Sequence, residues 1–173
     1  MTSMAEATVA TPDLEMTFFL LYERERPLVL RYIRAAVGDL GTAEDLTADT
    51  FFRAWDGWYR FKGENDVART WLMRIARNRL IDHARRNKQV AFIALDESRD
   101  RDDRDFETAT VNRMAVLTAL ASLKVEERDL LALRISGLSH AEIGVVLKRS
   151  DSAVRKAWQR ALLKLRPQLE VMS

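Results

Sequence analysis

The sequence predicts an all-α protein built as two small helical domains joined by an acidic linker, the C-terminal domain a helix-turn-helix. Three observations carry that prediction. Apolar residues recur at helical spacing through most of the chain. The 173 residues hold three prolines and six glycines, with few alternating β-branched runs. Across residues 91–110 the apolar period gives way to a run dominated by acids. An apolar fraction of 47% supplies material for packed cores, and the length suits one ordinary domain or two small ones.

Residues 1–12 read as a mobile tail, without the basic start and apolar stretch of a signal peptide. The first domain is expected over residues 13–90. Asp13 is an N-cap candidate ahead of Leu14, Phe18, Leu21 and Tyr22. Pro27 removes a donor and crowds the preceding turn, which predicts a break near Arg26. A second helix follows through Leu28, Tyr32, Ile33 and Ala36, stopped by Gly38. Thr42-Ala-Glu-Asp45 has capping-box spacing. It opens a helix to about Trp55 with Leu46, Thr50, Phe51 and Ala54 on one face and Glu44, Asp45 and Asp49 exposed near its start.

Trp55, Trp58, Tyr59 and Phe61 then cluster ahead of the polar loop Lys62–Asp66. Aromatic rings at helical spacing are mostly core, with one or two expected to be open to a ligand. The stretch Trp71–Lys88 places Leu72, Ile75, Ala76 and Leu80 on one side and Trp71, Arg74, Asn78, Asp82 and Arg85 on the other. One side wants a core. The other wants an anion, or is simply a solvated basic face.

The linker covers 91–110, and its stretch 96–107 holds seven acids and three bases. The second domain, 111–173, resumes helical spacing through Met114, Leu117 and Leu120 to Leu123. A helix is expected over Val125–Ile135, ended by Gly137, and Ser139-His-Ala-Glu142 is a capping box for a short helix with Ile143, Val146 and Leu147. After the turn Lys148-Arg149, Ser150 caps a final helix that should bury Val154, Trp158, Ala161, Leu162 and Leu165. Its outer face carries Ser152, Lys156 and Gln159, flanked by Arg155 and Arg160. The major groove of B-DNA admits one helix, and Arg and Gln can bond base edges in pairs. That argues for duplex binding, although three- and four-helix bundles share the bare pattern.

The net charge of +2 hides two basic regions. Residues 69–88 and 148–166 each hold seven Lys/Arg against one acid. The absence of cysteine excludes disulfides and thiolate chemistry, and no apolar run approaches a membrane span, so membrane insertion is not expected and a cytoplasmic location is. Glu44, Asp45 and Asp49 could serve a metal or acid/base chemistry with His83 or His140. Nothing in the spacing brings a histidine to them, and N-terminal acids on an ordinary helix are the simpler reading. No catalytic residue, metal or cofactor is expected.

Taken in order, Ala43–Leu46 leading to Thr50–Trp55, Trp71-Leu-x-Arg-Ile-Ala-Arg-Asn78 with Ile81-Asp82 and Arg85-Arg86, and Gly137–Ile143 followed by Val154 and Arg160-Ala161 resemble the extracytoplasmic-function sigma factors of bacterial RNA polymerase. The resemblance runs from about Phe18 to Leu165. It implies docking of Glu44, Asp45, Leu46, Asp49, Phe52 and Arg53 on the clamp helices of core RNA polymerase. It implies capture of a flipped base of the promoter −10 element by Phe61, Lys62, Asn65, Arg69 and Trp71 with Asn78 and Asp82, while Arg74, Arg77, Arg85 and Arg86 hold phosphates. Ser150, Ser152, Arg155, Lys156, Gln159 and Arg160 would read the −35 element. The linker would lie in the polymerase cleft, unless it is an inert tether. The implied partners are core RNA polymerase and promoter DNA, with an anti-sigma factor as a further partner; no enzymatic step is implied. The family usually has glycine and then an apolar residue where Lys148-Arg149 stand, often proline at Lys124 and often threonine at Ala153. The competing reading is a helix-turn-helix regulator with an N-terminal partner-sensing domain.

Overall fold

In a computed structural model of the chain, the described residues are 12–63, 65–87 and 118–170. They form helices α1 (Pro12–Val37), α2 (Leu40–Trp58), α3 (Asn65–Asn87), α4 (Val125–Ile135), α5 (His140–Leu147) and α6 (Asp151–Glu170), plus one helical turn at 118–121, with no strand among them. The expected tail, the linker at 91–110 and the start of the helix through Met114 and Leu117 lie outside the described residues.

Two expected boundaries are corrected. Helix α1 continues through Pro27. The missing donor and ring clash cost about 3 kcal/mol, but both flanks are anchored: Leu21 on one side, and Leu28, Val29, Tyr32 and Ile33 on the other, are buried. Gly38, at φ 80°, does end the helix as expected. Helix α2 starts before Thr42, because Asp39 takes the N-cap and accepts from the Thr42 amide at 2.7 Å. Aspartate is the stronger cap, and it displaces the Thr42 box.

In the second half the expected punctuation holds. The Glu127 carboxylate accepts from the Lys124 amide at 2.9 Å at the start of α4. Ser139 and Glu142 cap each other's amides at 3.2 and 2.7 Å, and Ser150 Oγ accepts from the Ala153 amide at 3.2 Å. Leu162, expected inside, is 41% exposed. Ala157 takes its place, because the face of α6 that meets the core runs through Val154, Ala157, Ala161 and Leu165.

One core joins both halves. Val29, Tyr32 and Ile33 of α1, Ala43, Leu46 and Phe51 of α2, and Leu72, Met73, Ala76 and Leu80 of α3 share a cluster with Leu130 and Leu133 of α4, Leu138, Ile143 and Val146 of α5 and its approach, and Val154 and Ala157 of α6. Helix α1 packs on α4, and α3 packs on α5. A smaller cluster, Ala119, Leu123, Leu131, Ala161 and Leu165, belongs to the second half alone.

Candidate nucleic-acid interface

The outward line of α3 is where the 3.6-residue period puts it: Arg74 and Asn78 are exposed, Asp82 is half-buried, and Arg85 and Arg86 are exposed in the last turn. The other cations of the helix are committed to the protein. Arg69 Nε bonds Glu25 Oε2 at 3.0 Å, and its Nη1 lies 3.6 Å from Glu142 Oε1. Burial alone would lower its pKa, but Glu25 and then Glu142 more than reverse this and raise it. Arg77 Nε bonds Asp129 Oδ2 at 2.7 Å. Arg79 clamps Asp49 of α2 and reaches Asp82 at 3.0 Å. Asp82 therefore faces outward with one oxygen already occupied, a position that also fixes where its free oxygen can accept.

Ahead of α3, Trp58 is buried, and Phe61 stacks on it with centroids 5.3 Å apart and 12° between planes. Phe61 also meets Trp71 at 4.7 Å. A Cβ on Gly63 would run into the Phe61 ring, so glycine lets this loop close over it. Phe61 and Trp71 are half-buried members of an aromatic cluster, whereas Trp55 and Tyr59 are the open rings of the group, 38% and 58% exposed. The Arg60 guanidinium lies 4.8 Å above the Tyr59 ring. The expectation that one or two rings of this cluster stay open is met by Trp55 and Tyr59, whereas Arg60 carried no expected role; a cation adjacent to an open ring was the available signal. Lys62 is exposed, and Asn65 and Arg69 stand in the first two turns of α3 rather than in a loop. The Asn65 side chain lies outside the described residues.

On α2, Glu44, Asp45, Phe52 and Arg53 are exposed, with Phe52 at 65%. Two of the residues grouped with them are engaged within the molecule, one by burial and the other, partly exposed, by ion pairs. Leu46 is buried in the shared core, and Asp49, besides holding Arg79, lies 3.7 Å from Arg53. No group of three or more metal-ligating side chains occurs among the described residues. His83 bonds Asn87, and the His140 ring lies 6.0 Å from that of Trp158.

The second basic surface is a complete helix-turn-helix. Lys148 closes α5 in the left-handed region at φ 54°, where a side chain costs roughly 1–2 kcal/mol and glycine would cost least. The turn is tight: a Cβ on Gly144 would come within 2.7 Å of the Arg149 carbonyl. Beyond it, Ser150, Ser152, Arg155, Lys156, Gln159 and Arg160 are all exposed. Arg149, Ala153, Arg155, Lys156, Gln159 and Arg160 line one open groove. Arg155 also pairs with Asp151 one turn back at 2.6 Å.

The two halves meet at a buried polar cluster. The Tyr32 hydroxyl donates to Asp129 Oδ1 at 2.8 Å, and Asp129 Oδ2 accepts from Arg77. Burial first, and then the Asp129 carboxylate, push the Tyr32 pKa well above its ordinary value. Arg31 Nη2 donates to the buried Ser136 carbonyl at 2.7 Å.

Comparison with known proteins matches residues 21–90 to Sigma-70 region 2 and residues 113–165 to Sigma-70, region 4. The ECF RNA polymerase sigma factor BldN of Streptomyces coelicolor is 32% identical over 153 residues, covering 84% of this chain and 57% of that relative. The RNA polymerase sigma factor YlaC of Bacillus subtilis is 30% identical, over 84% of this chain and 88% of the relative. Among solved structures, CnrH in complex with the cytosolic domain of CnrY aligns with a TM-score of 0.66 at 26% identity, covering 92% of this chain and 91% of that one. The sigma factor RpoE of Bartonella quintana, in complex with the anti-sigma factor NepR, shares the fold at a TM-score of 0.61 and 20% identity, covering 92% of this chain and 98% of that one.

Proposed function

The chain belongs to the extracytoplasmic-function sigma factors, and from that membership we propose that it binds core RNA polymerase in the cytoplasm and directs initiation at particular promoters. Residues 13–90 form the unit that meets polymerase and the −10 element, 111–173 the unit that meets the −35 element, and 91–110 the acidic linker between them. The observation that carries the reading is the pair of exposed polar lines, Arg74 and Asn78 on α3 and Ser152, Lys156 and Gln159 on α6, lying on the two family regions in the family's order.

The roles follow from chemistry. Exposed Glu44, Asp45, Phe52 and Arg53 offer polymerase a mixed charged and apolar face. Arg74, Arg85 and Arg86 hold phosphates, which position a strand without reading it. Asn78 and Asp82 supply the donors and acceptors that choose a base. Extrusion of that base costs a few kcal/mol, and stacking returns roughly 1–3 kcal/mol. With Phe61 and Trp71 packed together, Tyr59 is the ring with a face to give. Melting then draws on binding energy, with no catalytic step by this chain. Ser150, Ser152, Arg155, Lys156, Gln159 and Arg160 meet duplex in the major groove. An anti-sigma protein is a further partner; the two solved relatives above bind CnrY and NepR.

Run-off transcription with core polymerase on a promoter library tests this. The expected result is a promoter-dependent transcript; its absence would favour a helix-turn-helix regulator with a sensing N-terminal half. Asn78→Ala should then reduce −10 selectivity with polymerase binding intact, and Asp45→Ala should do the reverse. Equal loss of polymerase binding in both would refute this division of roles.

A further inference from the structure

The turn that joins α5 to α6 holds a cation to which no role has been assigned. Arg149 is exposed, and no carboxylate among the described residues pairs with it. Its backbone is fixed from both sides. The Arg149 amide donates to the Gly144 carbonyl at 2.8 Å, and the Arg149 carbonyl packs so close that a Cβ on Gly144 would come within 2.7 Å of it. The next residue, Ser150, caps α6 on the Ala153 amide at 3.2 Å. The Arg149 side chain therefore springs from a rigid turn, and the residue lines the same open groove as Ala153, Lys156, Gln159 and Arg160.

We propose that Arg149 is a positioning residue for the −35 duplex: it holds a backbone phosphate at the rim of the major groove and so sets the register in which Gln159 meets the base edges. The proposal deepens the reading of α6 as the duplex-binding helix and rests on it.

Spacing gives the first argument. Positions 149, 153, 156 and 160 recur at intervals of three and four and make one stripe along α6 and its approach. Gln159 stands ten positions beyond Arg149, roughly 15 Å at the helical rise, whereas the major groove is about 12 Å wide. A helix tilted across the groove with Gln159 over the base edges thus puts Arg149 past the groove floor, among phosphates. Half-buried Ala153 lies between Arg149 and Lys156 on that stripe, and its methyl group lets the duplex approach closely there. Availability gives the second argument. Arg155 already holds Asp151 at 2.6 Å, so a phosphate must compete for it. Arg149 can take a phosphate without displacing a carboxylate. Such a contact fixes position and carries no sequence information.

The test uses holoenzyme assembled from the full-length chain and core polymerase. Its probes are promoter duplexes recovered by run-off selection, with single −35 phosphates replaced by neutral methylphosphonates. For the unsubstituted chain, neutralising one phosphate at the edge of the element should weaken binding about threefold. Arg149→Gln should weaken binding of the unmodified duplex by the same factor and abolish sensitivity at that one phosphate. The turn itself should survive, because the Arg149 amide and carbonyl make its contacts. Arg149→Lys keeps the charge and should restore both affinity and sensitivity. The ranking of duplexes with single base-pair changes in the −35 element should be the same for Arg149→Gln as for the unsubstituted chain. A loss confined to one base-pair identity would make Arg149 a base reader, and unchanged binding or retained phosphate sensitivity would mean that it does not reach DNA; each result overturns the proposal. If Lys156→Ala, Gln159→Ala and Arg160→Ala all leave promoter binding unchanged, the assignment of α6 fails instead.

Discussion

The basic stretches 69–88, most of α3, and 148–166, which runs from the turn into α6, carry the same local charge, and the fold uses it in opposite ways. Each basic stretch has seven Lys/Arg against one acid. On α3, Arg69, Arg77 and Arg79 run to Glu25, Asp129 and Asp49 on three other helices. On α6, Arg155 pairs within its own helix, and Lys156, Gln159 and Arg160 stand in solvent. Charge count states how strongly a helix could hold a polyanion. Burial of the counter-charges decides which cations are available.

The contrast can be tested hardest where α3 enters the core. Leu72 is fully buried in the shared cluster, so Leu72→Ala should cost about 2–5 kcal/mol, read as a drop in urea midpoint. A loss confined to the first half, with separate transitions for the two halves, would show that the core is not shared. Arg79→Met comes next. It frees Asp49 and Asp82, both partly exposed, and should cost about 1–2 kcal/mol while leaving the salt dependence of duplex binding unchanged.

Lys156→Ala on α6 should behave in the opposite manner. Stability should stay within about 0.5 kcal/mol, and the slope of log affinity for promoter duplex against log salt should fall by about 0.9 for one lost phosphate contact. An unchanged slope would mean that this exposed lysine does not reach DNA. The smallest effect concerns the anchored end of α6. Burial pushes the Glu127 carboxyl up, but the Lys164 ammonium and the Lys124 amide outweigh it and hold the group below its ordinary value. Its contribution is therefore present above the unfolded value near ~4.3 and is lost as pH falls through the lower folded one. Thermal melts below about pH 4.5 should decline less steeply for Glu127→Gln; equal declines would mean that the pair does not couple to folding.

Local features were legible in the sequence. The bounds of α4, the Ser139–Glu142 box, the Ser150 cap and the stop at Gly38, whose amide bonds the Arg34 carbonyl, each depend on groups within four residues of one another. The Pro27 break and the Thr42 cap were misread for one reason: a better competitor lay nearby, packing in the first case and Asp39 in the second. Among the site residues, Arg74 and Asn78 followed from helical period. The pairing of Arg77 with Asp129 did not, because its partner is 52 positions away.

The sequence by itself determined a helical chain, the polar and apolar faces of its helices, two equal basic stretches and the ordered motifs of a sigma factor. All of these rest on interactions a few residues long, which the chain specifies wherever it lies. Only the tertiary structure decided that both halves share one core, that Phe61 and Trp71 pack together while Tyr59 stays open, and that Arg69 and Arg77 meet carboxylates. Tyr32 reaches Asp129 across 97 positions and Arg31 reaches Ser136 across 105. Contacts at such separations carry no periodic signal in a single sequence, because they are chosen by which buried surfaces fit.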